Sequence, residues 1–415
     1  PIDISKENQS LPGSLSFLEM YNVGMIEQLN ILNRWKSNDP TKSLAAPVGV
    51  DKHQELFKLD LHEKFYGPHG LIAGMTGSGK SEFIISYILS MALNYHPYEV
   101  SFVLIDYKGG GLTGAFENKE TGMKLPHLAG TITNLDTIEM NRSLASIQSE
   151  LRKRQRMFNA ARDSLNESTI DIYKYQSLYR KGLVKEPISH LFIISDEFAE
   201  LKDQRPEFMD QLISTARIGR SLGVHLILAT QKPAGVVNDQ IWSNSKFRVC
   251  LKVQDKSDSM DMIKCPDAAS LKNPGRFYLQ VGYNELFALG QAAWAGAQYY
   301  PTEKRKKKVD QSVNFLDNVG NYIKTFDTKQ KDVYIESKGE EITNIVNYIV
   351  QTAKEENVRI PQLWLPRIPN MIYTEELKHK YNYQVETNNI NPIIGEYDDP
   401  DNQRQKLLTL PLSKE

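Results

Sequence analysis

The chain has 415 residues, nearly equal numbers of acidic and basic side chains, a net charge of −1 and two cysteines. Such a length buries a core without disulfides or metals, and the charge balance lacks the basic footprint of a whole-surface nucleic-acid binder. No apolar run reaches the ~18 residues of a membrane span and no signal peptide is visible; Cys250 and Cys265, outside C-x-x-C or His-pair spacing, read as reduced structural residues.

The first residue is Pro1 rather than Met, so the chain reads as a piece of a longer protein. Residues 1–45 are expected to form an N-terminal helical flank, with Leu15, Phe17, Leu18, Tyr21, Ile26, Leu29, Ile31 and Leu32 at near-helical intervals broken at Gly24. From 46 to 300 apolar strands alternate with amphipathic helices, which predicts an α/β domain with a mostly parallel sheet covered by helices. Strands are expected at 69–73, 100–105, 190–195, 225–229, 247–253 and 276–281.

Directly after the first of these runs comes GMTGSGKS, which fits G-x-x-x-x-G-K-[ST] at Gly74, Gly79, Lys80 and Ser81. A strand runs in and a helical pattern, Ser81 to Ala92, runs out, which is the context a phosphate-binding P-loop requires. The backbone N–H groups of Gly74, Met75, Thr76, Gly77, Ser78 and Gly79 turn inward on the β-phosphate, facing the positive end of the following helix. Lys80 then reaches the β/γ oxygens of ATP, and the Ser81 hydroxyl ligates Mg²⁺.

VLIDYKGGG brings Asp106 and Lys108 to the carboxyl rim of the next strand, either as ligand-facing groups or as a plain loop. A long helix over 136–160 carries Leu144, Ile147, Leu151 and Phe158 on one stripe. HLFIISDEFAEL then ends a buried strand in Asp196-Glu197: an Asp positioned for Mg²⁺ and a Glu positioned to deprotonate water, against a bland reading as a helix N-cap. The acid pair, without an N-K-x-D guanine motif, points to ATP hydrolysis. HLILATQKP ends in Thr230-Gln231, polar groups suited to sensing the γ-phosphate. Between these strands STARIGRSLGVH carries Arg217 and Arg220, which either make surface salt bridges or act on a neighbouring subunit's nucleotide as an arginine finger.

Residues 301–415 are expected to be a linker region, with a basic run at Lys304–Lys308, an amphipathic helix over 340–356 and LWLPRIP. Residues 394–414 repeat the logic of 48–64: an apolar-Gly pair, a polar turn, then alternating apolar residues, Leu408, Leu410 and Leu412 against Phe57, Leu59 and Leu61. Both read as edge hairpins. Repetition of a domain entry implies tandem modules, so the parent is expected to continue within about 10 to 20 residues into another P-loop module.

Together, GMTGSGKS, VLIDYKGGG, FIISDEFAEL, GRSLGVHLILATQKP and PGRFYLQVG resemble the FtsK/SpoIIIE superfamily of ring-forming motor ATPases. SLAAPVGV, LDLHEKFYGPHGLIAG, PHLAGTITNLD and LWLPRIP are similar to its branch that powers type VII (ESX/Ess, WXG100) protein secretion, the EccC/EssC ATPases. That resemblance implies a membrane-anchored parent with three tandem ATPase modules, of which this is the first, on the cytoplasmic face of the bacterial membrane. It further implies a hexameric homo-oligomeric ring, contacts with membrane components of the machinery, and secreted WXG100-type proteins as cargo. Lys80, Ser81, Asp196, Glu197 and Gln231 fall on positions that intact members use. Tyr107 stands where DNA translocases tend to have Pro, and no winged-helix DNA reader follows residue 300. Both departures argue against DNA as cargo. A double-stranded DNA translocase and a nucleotide-binding assembly scaffold without useful turnover are the competing readings.

Overall fold

A computed structural model describes residues 11–412 except 107–109, 119, 134–135, 234, 236, 238–240, 242, 244, 284, 303–312, 317–321, 327–335 and 385–389, and leaves aside the side chains of 313–316 and 322–326. One ten-stranded sheet organises it. Its strands are β1 (Ala45–Asp51), β2 (Leu56–Asp60), β3 (Gly70–Ala73), β4 (Val100–Ile105), β5 (Leu128–Ile132), β6 (His190–Ser195), β7 (Val224–Thr230), β8 (Phe247–Cys250), β9 (Arg276–Val281) and β10 (Leu286–Ala292). Across the sheet they run β2-β1-β10-β9-β8-β3-β7-β6-β4-β5. From β8 to β5 every neighbouring pair is parallel, whereas β9, β10, β1 and β2 extend the sheet antiparallel.

The central strands are apolar along their whole length because both faces are covered. All residues of β4 and β6 are buried. Alternation sends Phe102, Leu104, Phe192 and Ile194 into one core and Val103, Ile105, Leu191 and Ile193 into the other. Helices Lys80–Asn94 and Glu341–Glu355 cover the first face, and Thr137–Leu165 and Pro206–Ile218 the second. The stripe Leu144, Ile147, Leu151 and Phe158 is buried as its spacing predicts, and Asp136 caps that helix by accepting from the N–H groups of Ile138 and Glu139.

All six expected strands are present, with 247–253 shortened to β8. Besides β1 and β2, read as the hairpin at 48–64, the expected list lacks β5 and β10; the first, LAGTI, holds two small residues, and the second is interrupted by Gly290, so neither reads as a continuous β-branched run. The flank forms short turns rather than one helix: Phe17–Met20, a 3-10 turn at Ile26–Leu29, and Ile31–Ser37. Asn22 and Asn30 adopt left-handed backbone at its breaks, and at Gly24 a Cβ would lie 2.2 Å from the Thr302 carbonyl oxygen.

Beyond residue 300 the chain returns to the same cores. Ile342, Ile345, Val346 and Ile349 are buried in the first, where Glu341 accepts from the Leu18 N–H at 2.9 Å and the Ser16 hydroxyl at 2.9 Å. Leu363 joins the second, its N–H donating to the Ala129 carbonyl at 3.0 Å. The basic run Lys304–Lys308 lies outside the described residues. Residues 48–60 belong to the β1–β2 hairpin at the edge of the large sheet. Ile393–Asp399 and Arg404–Thr409 form a separate hairpin, tied to helix Thr137–Leu165 by the ion pairs Arg142–Asp398 and Arg152–Asp401, with Leu408, Leu410 and Leu412 exposed. Among the described residues no helix is long and apolar enough to cross a membrane.

Candidate active site

The parallel strands end together, and their carboxyl ends carry the P-loop, Asp196-Glu197 and Thr230-Gln231. The Gly74 N–H donates to the Thr230 carbonyl at 3.1 Å and the Met75 N–H to the Lys252 carbonyl at 2.8 Å, so the loop is pinned between the ends of β7 and β8. Gly77 and Gly79 have φ of +79° and +89°, backbone that side chains other than glycine's rarely adopt. The Ser78 hydroxyl is buried and has no hydrogen-bond partner among the described residues. An orphan donor inside such a loop suits a phosphate oxygen.

Lys80 is buried and its Nζ lies 2.7 Å from the Asp196 carboxylate. Ser81 Oγ lies 3.2 and 3.4 Å from the two oxygens of the same carboxylate. The strand end at 195–196, the loop and the helix start therefore meet at one point. The Ser81 and Asp196 oxygens, hard donors side by side, fit a magnesium ion.

Glu197 is buried beside them. Its Oε1 accepts from the Thr230 hydroxyl at 2.7 Å and its Oε2 from the Gln231 N–H at 3.1 Å. The Gln231 side chain accepts from the Thr76 hydroxyl at 3.1 Å, joining the end of β7 to the P-loop. The grip of Thr230 on Glu197 is invisible in sequence, because the two sit 33 residues apart, at the ends of neighbouring strands. Asp106 is buried with its carboxylate accepting from the Leu112 and Thr113 N–H groups at 2.7 and 3.1 Å, so it organises its own loop; Lys108 lies outside the described residues.

Arg217 and Arg220 are exposed and lie elsewhere. They precede β7, which runs parallel to β3, so they stand at the amino end of the strands, opposite their own P-loop. Arg220 pairs with Glu63 at 2.5 Å. The two arginines line a cavity of about 620 Å³ together with Lys246, Arg248, Lys264 and His69. Sequence reading missed those companions, since only the strand order brings residues 246 and 264 beside 217. Burial holds His69 at a pKa of about 4, so the cavity's positive charge comes from the lysines and arginines. Cys250 and Cys265 are both free thiols.

The family model for the FtsK/SpoIIIE family matches residues 29–235, the stretch that holds the P-loop, Asp196-Glu197 and Thr230-Gln231. The chain belongs to this family of P-loop ATPases. It is 45% identical over 425 residues to the type VII secretion system protein EssC of Staphylococcus aureus (strain NCTC 8325), and 44% identical over 408 residues to the ESX secretion system protein YukB of Bacillus subtilis (strain 168). Those alignments take in 100% and 95% of this chain but 28% and 25% of the relatives, so the chain spans about a quarter of their length. The cytoplasmic domain of the Thermomonospora curvata type VII secretion ATPase EccC shares the fold, with a TM-score of 0.72 at 24% identity over 96% of this chain and 42% of that one.

Proposed function

We propose that this chain is a magnesium-dependent ATP-hydrolysing motor module of a type VII secretion ATPase, which couples phosphoryl transfer to the export of WXG100-type proteins from the cytoplasmic face of the membrane. The observation that carries the reading is the convergence of Lys80, Ser81, Asp196 and Glu197 at the mouth of the P-loop, inside a chain 45% identical to EssC. The P-loop N–H groups and Lys80 bind the β- and γ-phosphates. Ser81 and Asp196 hold magnesium, which when bound offsets phosphate charge. Glu197 takes the proton from the attacking water, and Gln231 contacts the γ-phosphate. Arg217 or Arg220, at the amino ends of the strands, serves the nucleotide of the next copy in a homo-oligomeric ring, within the cationic cavity described above.

Lys80→Ala is expected to weaken ATP binding at least tenfold, whereas Glu197→Gln keeps binding and abolishes phosphate release, because only the proton acceptor is lost. Calorimetry and phosphate release measure the two. Equal loss of binding in both variants overturns the assignment, and wild-type binding without turnover, even in the oligomer, favours an assembly scaffold.

A further inference from the structure

The cavity at the amino ends of the strands holds more than a pair of arginines needs. Its volume of about 620 Å³ lies within the ~300–1,000 Å³ of small-molecule sites. Arg217, Arg220, Lys246, Arg248 and Lys264 line it against one carboxylate among the described residues, Glu285. Strand alternation explains part of this gathering. Lys246 and Arg248 are two residues apart, so both face the side of the sheet covered by helix Pro206–Ile218, which brings Arg217. Lys246 lies beside His69, to whose carbonyl its N–H donates at 3.1 Å, and Lys264 closes helix Lys256–Ile263 in left-handed backbone.

His69 is the interior donor of the cavity, only 5% exposed. The Leu226 N–H donates to its Nδ1 at 3.0 Å. The ring, neutral with a pKa of about 4, therefore carries its proton on Nε2. That Nε2 is buried and has no hydrogen-bond partner among the described residues. A buried N–H without an acceptor is destabilising until a ligand supplies one. Gln280, buried in the same wall, also leaves its Oε1 unpartnered, and half a turn of its amide presents an N–H there instead.

The charge is not balanced within the wall. Glu285 pairs with Lys246 at 3.0 Å and Glu63 with Arg220 at 2.5 Å, which offsets two of the five cationic charges. Burial pulls the Arg248 guanidinium below its ordinary pKa, because its charge is partly withdrawn from water. An anion brought beside it gains more than the same pair would in bulk solvent. Guanidinium, ammonium and imidazole donors, with the buried Ser245 hydroxyl, form a set suited to an anion with several oxygens.

We propose that this cavity is an anion site complete within one chain, taking an oligophosphate such as pyrophosphate on Arg248, Lys264 and the Nε2–H of His69. It needs neither the P-loop nor a neighbouring copy, since none of these groups comes from either. The phosphate chain of a nucleotide held by the next copy has the same chemistry, so the test separates that source from free oligophosphate.

Calorimetry with pyrophosphate is carried out on Lys80→Ala chains diluted until light scattering shows monomers. One site per chain is expected to remain. Adding Arg248→Gln is expected to weaken it about tenfold or more, and adding the exposed Lys264→Gln about threefold. Cooperative thermal unfolding of each variant shows that the fold persists, and Lys264→Gln on the surface decides the matter if Arg248→Gln does not fold. No pyrophosphate binding by monomeric Lys80→Ala, or binding that neither substitution weakens, overturns the site. Pyrophosphate effects confined to oligomers loaded with ATP assign the cavity to the neighbour's nucleotide and overturn a site within one chain. The P-loop reading fails separately, by ATP binding that Lys80→Ala leaves unchanged.

Discussion

At the scale of single residues, the contact that most shapes the chemistry is the 2.7 Å hydrogen bond from Thr230 to Glu197. A carboxylate in a buried site keeps its charge and direction only if its oxygens are hydrogen-bonded. Thr230 supplies one bond and the Gln231 N–H the other. Thr230→Val preserves shape and removes the hydroxyl, so kcat is expected to fall ten- to a hundredfold with KM within about threefold. Thr230→Ser restores kcat. A Thr230→Val enzyme with wild-type kcat would show that the contact is only structural. The P-loop, Asp196 and Glu197 were legible in sequence because their spacing along the chain is itself the constraint; the Thr230 contact was not, because strand pairing creates it.

At the scale of elements, the strands of the parallel block bring histidines into the interior. His225 of β7 stacks on Phe192 with ring centroids 4.3 Å apart and lies 2.8 Å from His190 of β6, while His127, before β5, contacts the Tyr95 carbonyl at 2.8 Å. Burial holds His127 and His225 at about 3 and His69 at about 4. In the unfolded chain each takes a proton below about pH 6.5, and in the folded chain none does until pH 3–4. Stability is therefore complete above pH 6.5 and is lost as pH falls, at most about 1.4 kcal/mol per pH unit for each histidine. Thermal unfolding at pH 7.5, 6.5 and 5.5 is expected to give a Tm that falls slightly over the first step and by several degrees over the second. An equal Tm at 6.5 and 5.5 contradicts this. The same elements show where periodicity suffices: the stripe of helix Thr137–Leu165 and the runs of β4 and β6 were readable, whereas LAGTI of β5 becomes a strand only by pairing beside β4.

At the scale of the whole molecule, the two ends of the parallel strands differ in chemistry: the P-loop and the acidic pair Asp196-Glu197 at the carboxyl ends, Arg217, Arg220, Lys246, Arg248 and Lys264 around one cavity at the amino ends. A ring in which one end of each copy faces the other end of the next completes a site from two chains. Mixing Arg217→Ala or Arg220→Ala subunits with Glu197→Gln subunits is expected to recover part of the ATPase activity that each lacks alone, where an intact arginine meets an intact P-loop. If no mixture recovers activity in samples shown by light scattering to be oligomeric, neither arginine acts in trans. By itself the sequence determined the α/β class, the P-loop with its lysine and serine, the acid pair, and the polar end of β7, because each depends on residues close in the chain and on a period set by backbone geometry. Tertiary structure alone decided the four antiparallel strands beside the parallel block, the pairing of Thr230 with Glu197, the return of helix Glu341–Glu355 to the first core, and the gathering of His69, Arg217, Arg248 and Lys264 around one cavity. These contacts join residues tens to hundreds of positions apart, and only the order of strands in the sheet selects which of them meet.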